Sequence, residues 1–116
     1  MDLSLQEIAR VTKGRLKEEV PDAKISGISI DTRTLEEGDL FVAVKGGRTD
    51  GHRFIAEAQK KGAVGAVVSS RTTRFPKHFP LIRVPDTTRA LGDIARAHRR
   101  KFSIPVIAVT GSAGKT

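Results

Sequence analysis

The chain has 116 residues, enough for one domain with a real core and too few for two. Hydrophobic residues are 38% and charged residues 29%, the ordinary balance of a soluble globular protein, and the absence of Cys excludes disulfide staples, thiolate metal sites and a cysteine nucleophile. Met1-Asp2-Leu3-Ser4 lacks the basic-then-apolar order of a signal peptide, and no apolar run approaches the ~20 residues that cross a bilayer, so a cytoplasmic protein without a membrane span is expected.

Net charge is +8, and its distribution is uneven. Residues 1–70 hold eleven basic and eleven acidic side chains, whereas 71–101 hold nine basic ones (Arg71, Arg74, Lys77, Arg83, Arg89, Arg96, Arg99, Arg100, Lys101) against Asp86 and Asp93. Such a segment attracts polyanions. With no Tyr or Trp and only five Phe, however, there is no aromatic interleaving of the kind that stacks bases, and nucleic acid is not the expected partner.

In chain order, Ser4 opens a first helix: Glu7 follows at the capping-box spacing, and Leu3 and Ile8 take the hydrophobic-staple positions. Leu5, Ile8 and Ala9 make its apolar side and Gly14 is placed to end it, so Ser4 to Lys13 is expected to be helical. Ile25 to Ile30 reads as one strand with Ile28 and Ile30 on a shared face, running into Asp31-Thr32-Arg33. Polar groups at a strand's end are well placed to meet a ligand. Glu36-Glu37-Gly38-Asp39 is a turn, and Leu40 to Val44 is expected as a central strand buried on both faces.

Lys45-Gly46-Gly47-Arg48-Thr49-Asp50-Gly51-His52 gathers glycines, cations and hydrogen-bonding side chains into one loop, which suits an anion. The plainer reading coexists with it: glycines turn, Asp50 caps the following helix, and His52 is a first-turn residue. That helix is expected from about Gly51 to Lys61, with Phe54, Ile55 and Ala58 inward and Gly62 ending it. Ala63 to Val68 and Leu81 to Val84 are expected strands around a loop containing Pro76. Asp86-Thr87-Thr88 offers caps for a third helix whose stripe is Leu91, Ile94, Ala95, His98 and Phe102, with His98 a packed histidine. Alternating strands and helices imply an α/β three-layer sandwich with a mostly parallel or mixed sheet.

At the end of the chain, Ile104-Pro105-Val106-Ile107-Ala108-Val109 reads as a buried strand entering Thr110-Gly111-Ser112-Ala113-Gly114-Lys115-Thr116. Glycines there let backbone N–H groups approach phosphate, Lys115 would neutralise β/γ-phosphate charge, and the Thr116 hydroxyl could ligate Mg²⁺. The full G-x-x-x-x-G-K-[ST] pattern asks for glycine at 109, where this chain has Val109, so the match is to a shortened loop. An ordinary turn with a surface lysine would carry the same letters, and the strand before it argues for the phosphate loop. The sequence stops where that loop's helix would begin, so it is expected to be a piece of a longer protein. Residues 1–103 are expected to form one domain and 104–116 the start of the next.

With both loops in view, the chain resembles the Mur ligases of peptidoglycan (cell wall) synthesis. The resemblance rests on Asp31-Thr32-Arg33, Gly38-Asp39-Leu40-Phe41-Val42-Ala43, Gly46, Asp50-Gly51-His52 with Phe54, Gly62-Ala63 and Thr110 to Thr116. Within the family, Arg99 to Thr116, with Gly111-Ser112 in the phosphate loop, favours the members that join D-alanyl-D-alanine to UDP-N-acetylmuramoyl-tripeptide. The sister members that add the third amino acid share the D-[ST]-R and D-G-H blocks.

The resemblance implies an N-terminal substrate domain that holds the UDP end, followed by the first strand and P-loop of an ATPase domain. It implies contacts to uridine or diphosphate from Thr32 and Gly47, Arg48 and Thr49, within a substrate set of Asp31, Thr32, Arg33, Gly46, Gly47, Arg48, Thr49, Asp50 and His52. ATP would be held by Gly111, Ser112, Ala113, Gly114, Lys115 and Thr116, with Lys115 and Thr116 catalytic and Thr116 on Mg²⁺. The implied reaction is ATP-dependent: phosphorylation of the substrate's terminal carboxylate, then displacement by the incoming amine to form an amide. The fragment by itself is expected to be inactive, and monomeric. The other reading is a different P-loop NTPase with an N-terminal regulatory module, which would have no need of a second, uridine-sized anion site.

Overall fold

Helix α1 (Leu5–Thr12) begins as the sequence dictates: Ser4 Oγ accepts the Glu7 N–H at 3.3 Å, and the Glu7 carboxylate accepts the Ser4 N–H at 3.2 Å, closing the capping box. The computed structural model describes residues 3–16, 21–45, 50–71, 76 and 78–101. The end of α1 differs from expectation, because the left-handed residue is Lys13 (φ 56°) and not Gly14. Gly14 is demanded by packing instead: a Cβ there would stand 2.5 Å from Ile82 Cγ2 and 2.9 Å from Val84 Cγ1.

The single strand expected from Ile25 to Ile30 is two strands in two sheets. β1 (Leu3–Ser4) pairs antiparallel with β2 (Lys24–Ile25), burying Leu3 against Ile25. β3 (Ile28–Ser29), β4 (Leu40–Val42), β5 (Gly65–Ser69) and β6 (Leu81–Val84) form an all-parallel sheet in that spatial order. The break falls at Ser26-Gly27, where the Ser26 N–H donates to the Gly38 carbonyl and the Leu40 N–H to the Gly27 carbonyl, each at 2.9 Å. Those bonds turn the chain out of one sheet and into the other. Ile30 is thereby left beyond the strand and is 54% exposed, not inward with Ile28.

Strand β4 is one of the two inner strands, buried on both faces as its apolar run requires. Leu40 and Val42 pack with Leu5, Ile8, Val67, Ile82, Val84, Ala90 and Ile94, under α1 and α3 (Thr87–Lys101). Phe41 and Ala43 point the other way, to Leu35, Ile55, Ala58, Ala66, Val68 and Phe79. This second face is covered by a 3₁₀ turn (Gly51–Phe54), by α2 (Ile55–Lys60) and by the 30–39 loop. The result is the expected three-layer sandwich.

Two covering elements depart from their sequence reading. The helix expected from Gly51 starts as a 3₁₀ turn, and Gly62, with φ +96°, ends it as expected. On α3, Ala90, Ile94 and Ala97 are buried while Ala95 is exposed, so the inward stripe is rotated from the one expected. Small residues at 90 and 97 let α3 approach α1 and the sheet closely, which larger side chains at those positions would prevent. Leu91 and His98 flank that stripe half-buried, and Phe102 lies outside the described residues.

Candidate functional site

Parallel strands deliver their following loops to one edge, and the described residues of the two segments that the sequence reads as ligand-facing, 31–33 and 45–52, follow strands β3 and β4 there. Asp31-Thr32-Arg33 follows β3, Lys45 and Asp50 follow β4, and Ser70-Arg71 follows Ser69 at the end of β5. Asp86 leads from β6 into α3, accepting the Thr88 N–H at 2.9 Å as its N-cap.

The 31–33 segment is an Asx turn closed on itself. Asp31 Oδ1 accepts the Arg33 backbone N–H at 2.9 Å, and the Arg33 guanidinium forks onto both carboxylate oxygens, with Nη2 to Oδ2 at 2.7 Å. The Arg33 side-chain and backbone hydrogen bonds hold the Asp31 carboxyl at a pKa of about 2, well below the usual carboxylate range, and the carboxylate in turn raises the pKa of Arg33. Thr32 between them is buried, its carbonyl accepting Lys61 Nζ at 2.7 Å, while its hydroxyl makes no hydrogen bond among the described residues. Lys61 also pairs with Glu57 at 3.6 Å, so the end of α2 bolts this turn in place.

Across the 3₁₀ turn, Lys45 and Asp50 form an antiparallel bridge that closes the loop between them. Gly46, Gly47, Arg48 and Thr49, four of the expected substrate residues, lie outside the described residues, as do Gly111 to Thr116. Asp50 Oδ1 caps the turn through the His52 N–H at 3.0 Å and meets His52 Nδ1 at 2.6 Å. That backbone hydrogen bond is the chief reason the Asp50 carboxyl is held below its ordinary range. His52 Nε2 lies 2.8 Å from the Ser69 N–H on β5. A backbone N–H can only donate, so Nε2 is the bare acceptor and Nδ1 carries the proton toward Asp50. Gly51 beneath is held tightly: a Cβ would sit 2.9 Å from the Val44 nitrogen.

Two cavities open on either side of this turn. One, of about 600 Å³, is lined by Ile30, Asp31, Thr32, Arg33, Val44 and Phe54, among others. The other, of about 1050 Å³, is bounded by Lys45, Asp50, His52, Ser69, Arg71 and Thr88, among others. The first has an apolar wall with a hydroxyl and a paired charge at its rim, and the second carries Lys45, Arg53 and Arg71 without an ion pair among the described residues. Together they suit an elongated anion with an apolar end. The sequence reading had not selected Ile30, Lys61, Ser69 or Arg71. The signal for Ser69 and Arg71 was their position just past a parallel strand, and nothing local marked Lys61.

A family model described as "Mur ligase family, catalytic domain" matches residues 24–99. The chain belongs to the Mur ligase family. Among the proteins this chain is similar to is the UDP-N-acetylmuramoyl-tripeptide–D-alanyl-D-alanine ligase of Synechocystis sp., 42% identical over 82% of this chain and 21% of that protein. Another is the UDP-N-acetylmuramoyl-L-alanyl-D-glutamate–2,6-diaminopimelate ligase of Syntrophomonas wolfei, 38% identical over 98% of this chain and 24% of that protein. The crystal structure of MurF from Acinetobacter baumannii superposes with a TM-score of 0.71 at 32% identity, over 83% of this chain and 21% of that one. The chain thus spans about a fifth to a quarter of the length of the Mur ligases it matches.

Proposed function

We propose that this chain is the module that grips the UDP end of UDP-N-acetylmuramoyl-tripeptide in a ligase that adds D-alanyl-D-alanine during peptidoglycan synthesis. One observation carries the reading: Asp31-Thr32-Arg33 and the segment of Lys45 with Asp50 to His52, separate in sequence, line cavities on the two sides of one 3₁₀ turn. Thr32 would offer its unengaged hydroxyl to the uridine, while Asp31 and Arg33, bound to each other, shape the turn. Gly46, Gly47, Arg48 and Thr49 would bring backbone N–H groups and a cation to the diphosphate, from a loop anchored by Asp50 and His52.

Residues 104–116 would begin the following ATPase domain, with Gly111 to Thr116 on ATP, Lys115 on its phosphates and Thr116 on Mg²⁺. ATP supplies the phosphoryl group that activates a carboxylate for attack by an amine. Among the described residues no three His, Asp or Glu side chains converge as a cation site, so the Mg²⁺ proposal rests on Thr116. A nucleotide tail gripped here gives remote binding energy that positions a flexible peptide for reaction elsewhere. The fragment alone would then bind and not catalyse. Among the described residues no helix is long and apolar enough to cross a membrane. The parent enzyme is proposed to be cytoplasmic and monomeric, with no nucleic-acid partner.

The sister diaminopimelate-adding activity is the second reading, favoured by the Syntrophomonas relative, which matches this chain along nearly its whole length. Calorimetric titration separates the claims. UDP-N-acetylmuramoyl-tripeptide and UDP should bind saturably, Mg-ATP weakly or not at all, and Thr32→Ala or Arg48→Ala should weaken the UDP ligands about tenfold, the loss of one hydrogen bond or charge contact. A folded chain that ignores every UDP ligand would refute the module reading.

A further inference from the structure

Beyond the substrate set in which the resemblance places it, His52 ties the turn that begins at Asp50 to the neighbouring strand β5. Its ring is 18% exposed, and both nitrogens are committed: Nδ1 to Asp50 Oδ1 at 2.6 Å and Nε2 to the Ser69 N–H at 2.8 Å. Ser69 is the last residue of β5, and the adjoining Arg71 N–H donates to Ser69 Oγ at 3.2 Å. The imidazole therefore joins Asp50, at the start of the 3₁₀ turn, to the end of β5, on the wall of the cavity of about 1050 Å³.

We infer that His52 is a positioning residue for the cleft at this edge that works only in its neutral Nδ1–H form, so that protonation detaches the turn beginning at Asp50 from β5 and weakens ligand binding. The reason is stoichiometric. Nε2 holds Ser69 through its lone pair, and a proton placed there leaves two donors facing each other. The backbone N–H of Ser69 must then find another acceptor, while the His52–Asp50 contact survives as an ion pair. Detachment is thus confined to the β5 side. The charged groups sharing the cleft are Lys45 at the end of β4, Asp50 and Arg53 on the turn, Arg71 after β5 and Asp86 before α3. Because these charged groups stand beside it, the test reads named nuclei as well as affinity. The inference rests on the reading of this cleft as a UDP contact.

Long-range ¹H–¹⁵N spectra of the three imidazoles of this chain report tautomer and protonation directly. At pH 8 His52 should show a protonated Nδ1 and a bare Nε2, the less common neutral tautomer. As pH falls, His52 protonation and loss of the Ser69 amide's protection from exchange should share one midpoint. On the same samples, affinity for UDP-N-acetylglucosamine, a diphosphate diester with no group titrating in this range, should drop about tenfold between pH 8 and the acid side of that midpoint. His52→Gln, which offers a donor and an acceptor but gains no proton, should bind with a flat profile.

An Nε2–H tautomer at pH 8 overturns the inference, and so does a Ser69 amide indifferent to His52 protonation. A pH-dependent drop that persists in a folded His52→Gln chain overturns it too. If the tautomer and Ser69 behave as stated but no UDP ligand binds at either pH, the fastening stands and the UDP reading, with the binding half of this inference, falls.

Discussion

Asp31, Thr32 and Arg33 divide the work of one motif between them: the two charged side chains pair with each other and set the turn, and Thr32, between them, keeps a hydroxyl with no hydrogen bond among the described residues. Side-chain carboxyl ¹³C NMR should place the Asp31 midpoint at about 2, and Arg33→Gln should return it toward the ordinary range near 4. Because the folded-state pKa lies below the unfolded one, the pair's contribution is fully present above about pH 4 and is lost as pH falls toward 2. The contribution is small because the pair is exposed. An Asp31 midpoint near 4 in the parent chain would refute the fork.

At the scale of the element, the two ends of α1 contrast. Its start was readable because a capping box is local chemistry, confined to Ser4 and Glu7. Its end was not, because Gly14 answers to Ile82 and Val84, nearly seventy residues away in sequence. Two substitutions should therefore act against the usual expectation. Gly14→Ala should destabilise by about 1–3 kcal/mol through overpacking. Lys13→Gly should stabilise by up to about 1 kcal/mol by relieving the left-handed backbone, despite the flexibility it adds to the unfolded chain. Urea unfolding of both checks the pair, and equal destabilisation would refute the assignment of roles. The split between β2 and β3 has the same origin, since the bonds that turn Ser26-Gly27 come from Gly38 and Leu40.

For the whole molecule, the described residues of the two core clusters run from Leu3 to Ile94. Deleting residues 104–116 should accordingly shift Tm by less than about 4 °C, the equivalent of roughly 1 kcal/mol. A larger loss in a calorimetric scan would mean that the last segment belongs to this domain after all. The local excess of basic residues also has a partly structural account on α3, where Arg96 is paired with Asp93 one turn earlier.

What the sequence determined by itself was whatever depends on neighbours along the chain: the α1 cap, the Asp50 and Asp86 caps, the two-sided burial of β4, the alternation that makes a three-layer sandwich. Residue type and short spacing suffice there, because hydrogen-bond reach and side-chain periodicity are local. Only the tertiary structure decided that Lys61 would hold Thr32, that His52 would hold Ser69, that Gly14 would yield to β6, and that Ile30 would stand at the mouth of a cavity. Each of those pairs segments brought together by the parallel sheet, whose C-terminal edge collects loops from distant parts of the chain, and no local pattern encodes which of them meet.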